Sequence, residues 1–121
     1  MIRLQPSRGE RVHRHVAELG IDEIAQWLEL TLGRRLTAYA ADVEPAELVR
    51  CSRGDDHDDV CDRRLRNLYA VAWFVSLRDG PGTAYDWLVE PNPELDDHPP
   101  IELLHEGKSP ESVWFAVAPV F

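Results

Sequence analysis

The sequence predicts an all-α protein, a small helical bundle, from three observations. Apolar residues recur at helical spacing through most of the 121 residues, and at 44% of the composition they are numerous enough to form a core. Prolines and glycines separate these helical stretches from one another. No stretch alternates apolar and polar residues strongly enough to predict a strand. The length suits one compact domain or two very small ones.

The first half of the chain predicts a basic arm followed by three helices. Residues 1–15 are polar and rich in arginine, which predicts an N-terminal arm. Residues 16–32 have helical spacing and end at a glycine. Residues 34–41 and 45–52 form two further stretches, joined by a short turn and closed by Gly54. This order of helix, turn, helix and glycine is typical of a helix-turn-helix.

The middle of the chain holds a charged break and the longest helix. Residues 55–59 read Asp-Asp-His-Asp-Asp, which predicts either a cation site or a solvated linker. The stretch lacks the glycine and the alternating ligands of a calcium loop, which favours the linker and a domain boundary there. Residues 60–77 are apolar on most sides of a helix, which predicts a position central to a bundle or in a subunit interface.

The remaining residues predict short helices separated by prolines. Thr83 with Asp86 has the spacing of a capping box that opens a helix. The sequence Pro-Asn-Pro at 91–93 ends that helix, because proline disfavours the helical conformation in the residue before it. A second helix is expected over 99–107, and a last one is expected over 109–117.

The C-terminal motifs resemble the toxin-binding domain of Xre/MbcA/ParS-like antitoxins. The family signature reads WL, then xPNPxL, then P.ELL..G. The matching positions are Trp87, Leu88, Pro91, Asn92, Pro93, Leu95, Leu103, Leu104 and Gly107. The resemblance covers residues 60–121, and a looser one to Xre-type regulators covers 30–54. The chain departs from the family at 96–98, where Asp-Asp-His replaces a small glycine-rich turn. This division predicts a helix-turn-helix-like module over 1–55 and a toxin-binding domain over 56–121.

The resemblance implies an antitoxin of a type II toxin–antitoxin pair. Its partner would be a RES-domain toxin that degrades NAD, occluded at its active site by residues near the antitoxin's C-terminus. We expect a homodimer or a larger hetero-oligomer with the toxin. The expected toxin-binding residues are Trp87, Leu88, Pro91, Asn92, Pro93, Leu95, Glu102, Glu106, Glu111, Trp114, Phe115 and Phe121. The glutamates would complement a cationic cleft and residues 114–121 would bury apolar area, so truncation after Pro110 should abolish neutralisation.

The charge distribution fits a basic partner better than nucleic acid. The net charge is -9, and residues 79–121 hold nine acidic residues and one lysine, which suits either a basic partner or a solubilising face. Arg50 and Arg53 are candidate DNA contacts, but Glu44 and Glu47 lie at the helix end that normally reads bases. The alternative function is a dimeric helix-turn-helix regulator that binds its own operator DNA, aided by the arginines of the arm. A third possibility is an adaptor for another protein.

The sequence contains no recognisable catalytic pattern. It shows no nucleophile elbow and no glycine-rich phosphate loop, so we expect no enzymatic activity, no cofactor and no metal. Cys51 lies near two arginines without a His/Asp companion in a recognisable order. Two cysteines do not make a disulfide framework, which predicts free thiols. With no signal peptide and no apolar span, we expect a cytoplasmic protein that does not contact the membrane.

Overall fold

The computed structural model describes residues 8–53, 59–80 and 82–113, which are mainly helical. The α-helices in these ranges are α1 (Arg8–Glu18), α2 (Ile21–Leu32), α3 (Arg34–Ala41), α4 (Pro45–Arg53), α5 (Asp59–Asp79), α6 (Ala84–Val89) and α7 (Pro100–His105). A short 3-10 helix, Pro93–Leu95, lies between α6 and α7. The described ranges contain no strand, so the predicted all-α class is confirmed.

Helix α5 is the centre of the bundle. It contacts α1, α2, α3, α6 and α7. Leu65, Leu68, Val71 and Val75 are fully buried along its length. Packing partners on several sides account for a helix that is apolar on most of its faces. Among the described residues, no helix is long and apolar enough to cross a membrane.

One hydrophobic core joins the two halves of the described chain. A single buried cluster contains Val12 of α1, Leu28 of α2 and Leu48 of α4 together with Leu88 of α6 and Leu104 of α7. Helix α3 packs against both α5 and α7. The predicted boundary between residues 55 and 56 lies outside the described residues.

The N-terminal arm predicted for residues 1–15 is wrong from the eighth residue onward, where α1 begins. Val12 and Val16 lie one helical turn apart and are buried in the core. The Arg66 guanidinium on α5 donates hydrogen bonds to the carbonyls of Val16 (2.8 Å) and Leu19 (2.9 Å), where α1 ends. Two valines in a polar, arginine-rich stretch are a weak periodic signal, which explains the error.

The two cysteines form a disulfide, so the prediction of free thiols is also wrong. The Cα atoms of Cys51 and Cys61 are 6.4 Å apart, within the usual range for a disulfide. Cys51 lies near the end of α4 and Cys61 near the start of α5. A count of cysteines does not reveal that the fold brings these two helix ends together.

The predicted pair of helices after Gly33 is observed as α3 and α4. A three-residue turn joins them, and Asp42 at its start has the left-handed conformation, with φ of 56°. Its backbone N–H donates to carbonyls in the last turn of α3. Asp is among the few residues that tolerate this conformation, so the turn is compatible with its sequence.

The predicted capping box at the start of α6 is wrong. The Thr83 hydroxyl donates to the carbonyl of Gly80 at 2.7 Å, and the Thr83 backbone already has helical dihedral angles. An N-cap residue normally has extended dihedrals, which aim its side chain at the first N–H groups of the helix. The sequence spacing was correct for a capping box, but the preceding turn supplied another acceptor for the hydroxyl.

Candidate protein-binding site

The α6–α7 unit (residues 84–107) contains all nine positions that carry the family resemblance. It packs against α5, and α6 also contacts α2. Its buried apolar side chains are Ala84, Leu88, Leu95, Pro100, Ile101 and Leu104. These residues fix one side of the unit to the core, so the polar residues between them are directed outward.

Asn92 closes the turn between α6 and α7. Its backbone N–H donates to the carbonyl of His98 (3.3 Å), and its carbonyl accepts from the N–H groups of Leu95 (2.9 Å) and Asp97 (3.0 Å). Its side-chain oxygen accepts from the N–H of Glu94 at 2.9 Å, which caps the 3-10 helix. The side-chain bond to the N–H of Glu94 explains why asparagine suits this position, because the other three hydrogen bonds use only the backbone.

Asp96 and Asp97 both have left-handed backbones, with φ of 55° and 63°. Glycine adopts this conformation most easily, and Asp tolerates it better than most residues. These are the positions where the antitoxin family commonly has a small glycine-rich turn. The aspartates keep the turn and place two further exposed carboxyl groups on the surface.

The C-terminal end of α7 is fixed to two other helices through His105. Arg64 of α5 donates to the carbonyl of His105 at 2.6 Å. The Nδ1 of His105 donates to the carbonyl of Tyr39 in α3, also at 2.6 Å, and the two rings stack 4.1 Å apart. Sequence reasoning missed this contact, because 66 residues separate the two partners.

Six acidic side chains of the α6–α7 unit are exposed at its surface. We call this surface the acidic face, and its exposed members are Asp86, Glu90, Glu94, Asp96, Asp97 and Glu106. Half-buried Glu102 borders it, and its carboxylate pairs with Nδ1 of His98 at 3.0 Å. Lys108 is the sole Lys or Arg in residues 79–121. The negative potential of such a surface attracts cationic groups.

Glu111 connects the residues after α7 to α1. Its carboxylate contacts Nε2 of His13, and both side chains are about half exposed. Partial burial by itself raises the pKa of Glu111. Hydrogen bonds from its own backbone N–H, from His13 and from Ser109, with the charge of His13, outweigh that effect and lower the pKa. Val113, two residues later, is fully buried in the core.

The predicted toxin-binding residues fall into three structural groups. The first group is accessible to solvent: its exposed members are Pro91, Pro93, Glu106 and Glu111, and its half-buried members are Trp87, Asn92 and Glu102. Leu88 and Leu95 are buried and support the unit from inside. Trp114, Phe115 and Phe121 lie outside the described residues. The structure therefore gathers the positions from Trp87 to Glu106 on one compact unit.

The candidate DNA contacts lie on a different part of the molecule. Arg50 and Arg53 are exposed in the last turn of α4. Glu44 and Glu47 are exposed at the opposite end of that helix and line a groove of about 300 Å³ that reaches His105 of α7. The end of α4 that would normally approach bases is therefore acidic.

The described ranges contain no group of three or more His, Cys, Asp or Glu side chains arranged to hold a metal ion. The acidic residues Asp55 to Asp58 lie outside those ranges. No family model, curated protein or solved structure matches the chain. The resemblance to antitoxins and the functions derived from it therefore stay predictions.

Proposed function

We propose that this chain is the antitoxin of a type II toxin–antitoxin pair, which binds a RES-type, NAD-degrading toxin and occludes its active site. The observation that supports this proposal most directly is the acidic face. Six exposed carboxyl groups lie on a short unit that is anchored to the core by apolar side chains and by His105.

The chemistry of the proposed target complements this surface. An enzyme that binds a dinucleotide needs cationic side chains or helix N-termini to hold the phosphates. Carboxylates presented to such a cleft would be steered toward it and would pair with the groups that otherwise bind substrate. Because the turn around Asn92 is closed by its own hydrogen bonds, little conformational entropy is lost when the face binds.

Apolar contacts at the same unit can add affinity. Pro91 and Pro93 are exposed on either side of Asn92, and Trp87 is half-buried one turn earlier. Tryptophan is enriched among residues that dominate binding energy at protein interfaces. The unit thus offers accessible apolar residues as well as charged ones, and protein interfaces commonly combine the two.

The first test is affinity capture of the tagged full chain from its native host. We expect a stoichiometric partner that degrades NAD only after it is separated from this chain. Capture of a partner without that activity would support an adaptor instead. A gene for a RES-like protein beside the gene for this chain would independently support the antitoxin.

A charge-reversal pair tests the acidic face itself. Glu94→Lys with Glu106→Lys should weaken the captured complex by about tenfold or more and reduce the salt dependence of its affinity. The matched control, Glu18→Lys with Glu23→Lys, makes the same change of charge on exposed positions of α1 and α2. If the two double variants bind the captured partner with equal affinity, the acidic face does not contribute to binding.

Truncation tests the role expected for the last residues. Cutting after Pro110 would also remove buried Val113 and the Glu111–His13 contact. Cutting after Val113 leaves both in place and removes residues 114–121 alone. We expect this form to keep its helical circular dichroism and to lose neutralisation. Full protection by the shortened chain would show that occlusion does not require those residues.

The second candidate function is a dimeric DNA-binding regulator, which the α3–turn–α4 arrangement favours. Arg50 and Arg53 are the candidate phosphate contacts on that module. Binding to the chain's own operator should then weaken with salt, and the double change Arg50→Ala with Arg53→Ala should reduce the slope of that dependence by about 2. Absence of operator binding at low salt would eliminate this candidate.

A further inference from the structure

We propose that Cys51 and Cys61 form a reversible thiol–disulfide site, which fastens α4 when oxidised and releases it when a dithiol reduces it. The proposal concerns the α3–α4 corner (residues 34–53) and does not depend on the antitoxin function.

The disulfide joins two helices at a particular place. Cys51 lies in the last turn of α4 and Cys61 in the first turn of α5. Helix α4 packs chiefly against α2 and α3, and the disulfide adds a covalent attachment to the central helix. Breaking that bond would leave α4 dependent on the packing of a single face.

Helix α4 has few buried side chains of its own. It is 9 residues long. Isolated helices of that length are not stable in water, so the packing of the bundle must hold it. Among its described side chains, Leu48 and Cys51 are buried and Val49 is half-buried. One of the two buried side chains is therefore part of the disulfide.

The hydrophobic core of the bundle extends well beyond the disulfide. Small domains use structural disulfides where the hydrophobic core alone is insufficient. Here the core extends from Val12 of α1 to Val113, and α5, α6 and α7 pack on one another within it. A bond that tethers one short helix to a core that continues beyond it is suited to conditional control.

The proposed exchange is a two-electron, two-proton reduction by a dithiol. A thiolate of the dithiol attacks the sulfur of Cys51, because the Cys51 residue is 8% exposed against 2% for Cys61. The bond between Cys51 and Cys61 breaks, a mixed disulfide forms on Cys51, and the Cys61 thiolate leaves and takes up a proton. The second thiol then attacks the mixed disulfide, closes the oxidised dithiol and releases the Cys51 thiol.

Release of α4 would change a defined part of the surface. The helix carries Glu47 in its first turn and Arg50 and Arg53 in its last turn. It also covers the core through Leu48. Reduction should therefore expose apolar surface on α2 and α3 and free the charged residues of α4 from their fixed positions.

Hydrogen exchange of the full chain tests the proposal. Exchange is followed by mass spectrometry in the oxidised chain and after dithiothreitol, with the gain of two hydrogens confirmed on the intact protein. We expect amides of residues 45–53 to exchange about a hundredfold faster after reduction, in line with the entropy that a short closed loop removes. Amides of α7 that exchange by local opening should keep their rates. The double variant Cys51→Ala with Cys61→Ala should show the faster rates with and without the dithiol.

Three results would overturn the proposal. Equal exchange of residues 45–53 before and after verified reduction would show that the bond does not hold α4. Faster exchange throughout α5 and α7 would show that the disulfide stabilises the whole bundle rather than α4 alone. A mass that does not change with dithiothreitol under native conditions would show that the site is not reversible.

Discussion

Helix α4 and the α6–α7 unit are both short parts of the bundle, but they are held in different ways. Helix α4 combines one fully buried leucine, Leu48, with a covalent bond to α5. The α6–α7 unit has six buried apolar side chains and a turn closed by four hydrogen bonds on Asn92. The attachment of α4 therefore depends in part on a chemical state, whereas that of the α6–α7 unit depends on the core.

This difference separates two possible roles. A surface that must bind a partner at all times benefits from a frame that the core holds rigidly, because binding then orders few groups. A region whose attachment can be changed chemically is suited to regulation. The acidic face lies on the rigid region, and the disulfide lies on the other.

The largest expected effect comes from removing a buried leucine in each region. Leu88→Ala and Leu48→Ala should each lower the free energy of unfolding by about 2–5 kcal/mol, because both side chains are fully buried. Their exchange patterns should differ. Leu88→Ala should speed hydrogen exchange across the bundle, and Leu48→Ala should speed it mainly in α4. Urea unfolding and exchange mass spectrometry measure the two quantities.

An exposed leucine provides the control for this pair. Leu30 on α2 is 82% exposed, so Leu30→Ala should change the free energy of unfolding by less than about 0.5 kcal/mol. Faster exchange confined to α6 in the Leu88→Ala chain would contradict the comparison. It would mean that the α6–α7 unit also opens independently of the core.

A smaller effect is expected at the turn of the α6–α7 unit. Asn92→Ala removes the side-chain cap on the N–H of Glu94 and should lower the free energy of unfolding by about 1 kcal/mol. Asn92→Asp keeps the acceptor oxygen and should remain close to the parent chain in urea unfolding. If both variants lose the same stability, the cap is not the source of the effect.

A still smaller effect, of opposite sign, is expected at Asp97. Its φ of 63° favours glycine, so Asp97→Gly should raise the free energy of unfolding by up to about 1 kcal/mol. Asp86→Gly in α6 is the matched control and should lower it, because glycine is unfavourable inside a helix. Thermal unfolding of both variants measures whether each change raises or lowers the stability. Equal losses of stability in the two variants would refute the interpretation of the turn.

Local patterns predicted much of this molecule, and long-range contacts explain what they missed. The long apolar run predicted α5, and the prolines around Asn92 predicted the end of α6. Both predictions succeeded because the signals lie within the elements themselves. The disulfide and the contact of His105 with Tyr39 join residues 10 and 66 positions apart, and no local pattern encodes them. The negative charge of the acidic face was predictable from the sequence. The left-handed conformation of Asp96 and Asp97 is seen only in the backbone of the folded chain.

The smallest expected effect is a pH dependence at the contact between Glu111 and His13. The folded chain lowers the pKa of Glu111 below its ordinary value of 4.5, so the contact stabilises the fold above that pH. The contribution is lost as the pH falls through the lower folded value. His13→Ala should therefore be slightly less stable than the parent chain at pH 5, and the difference should shrink toward pH 3. Urea unfolding at the two pH values measures this, with Glu111→Gln as the matched variant. A difference that persists undiminished at pH 3 would show that His13 acts through packing, because a protonated Glu111 no longer provides the charge.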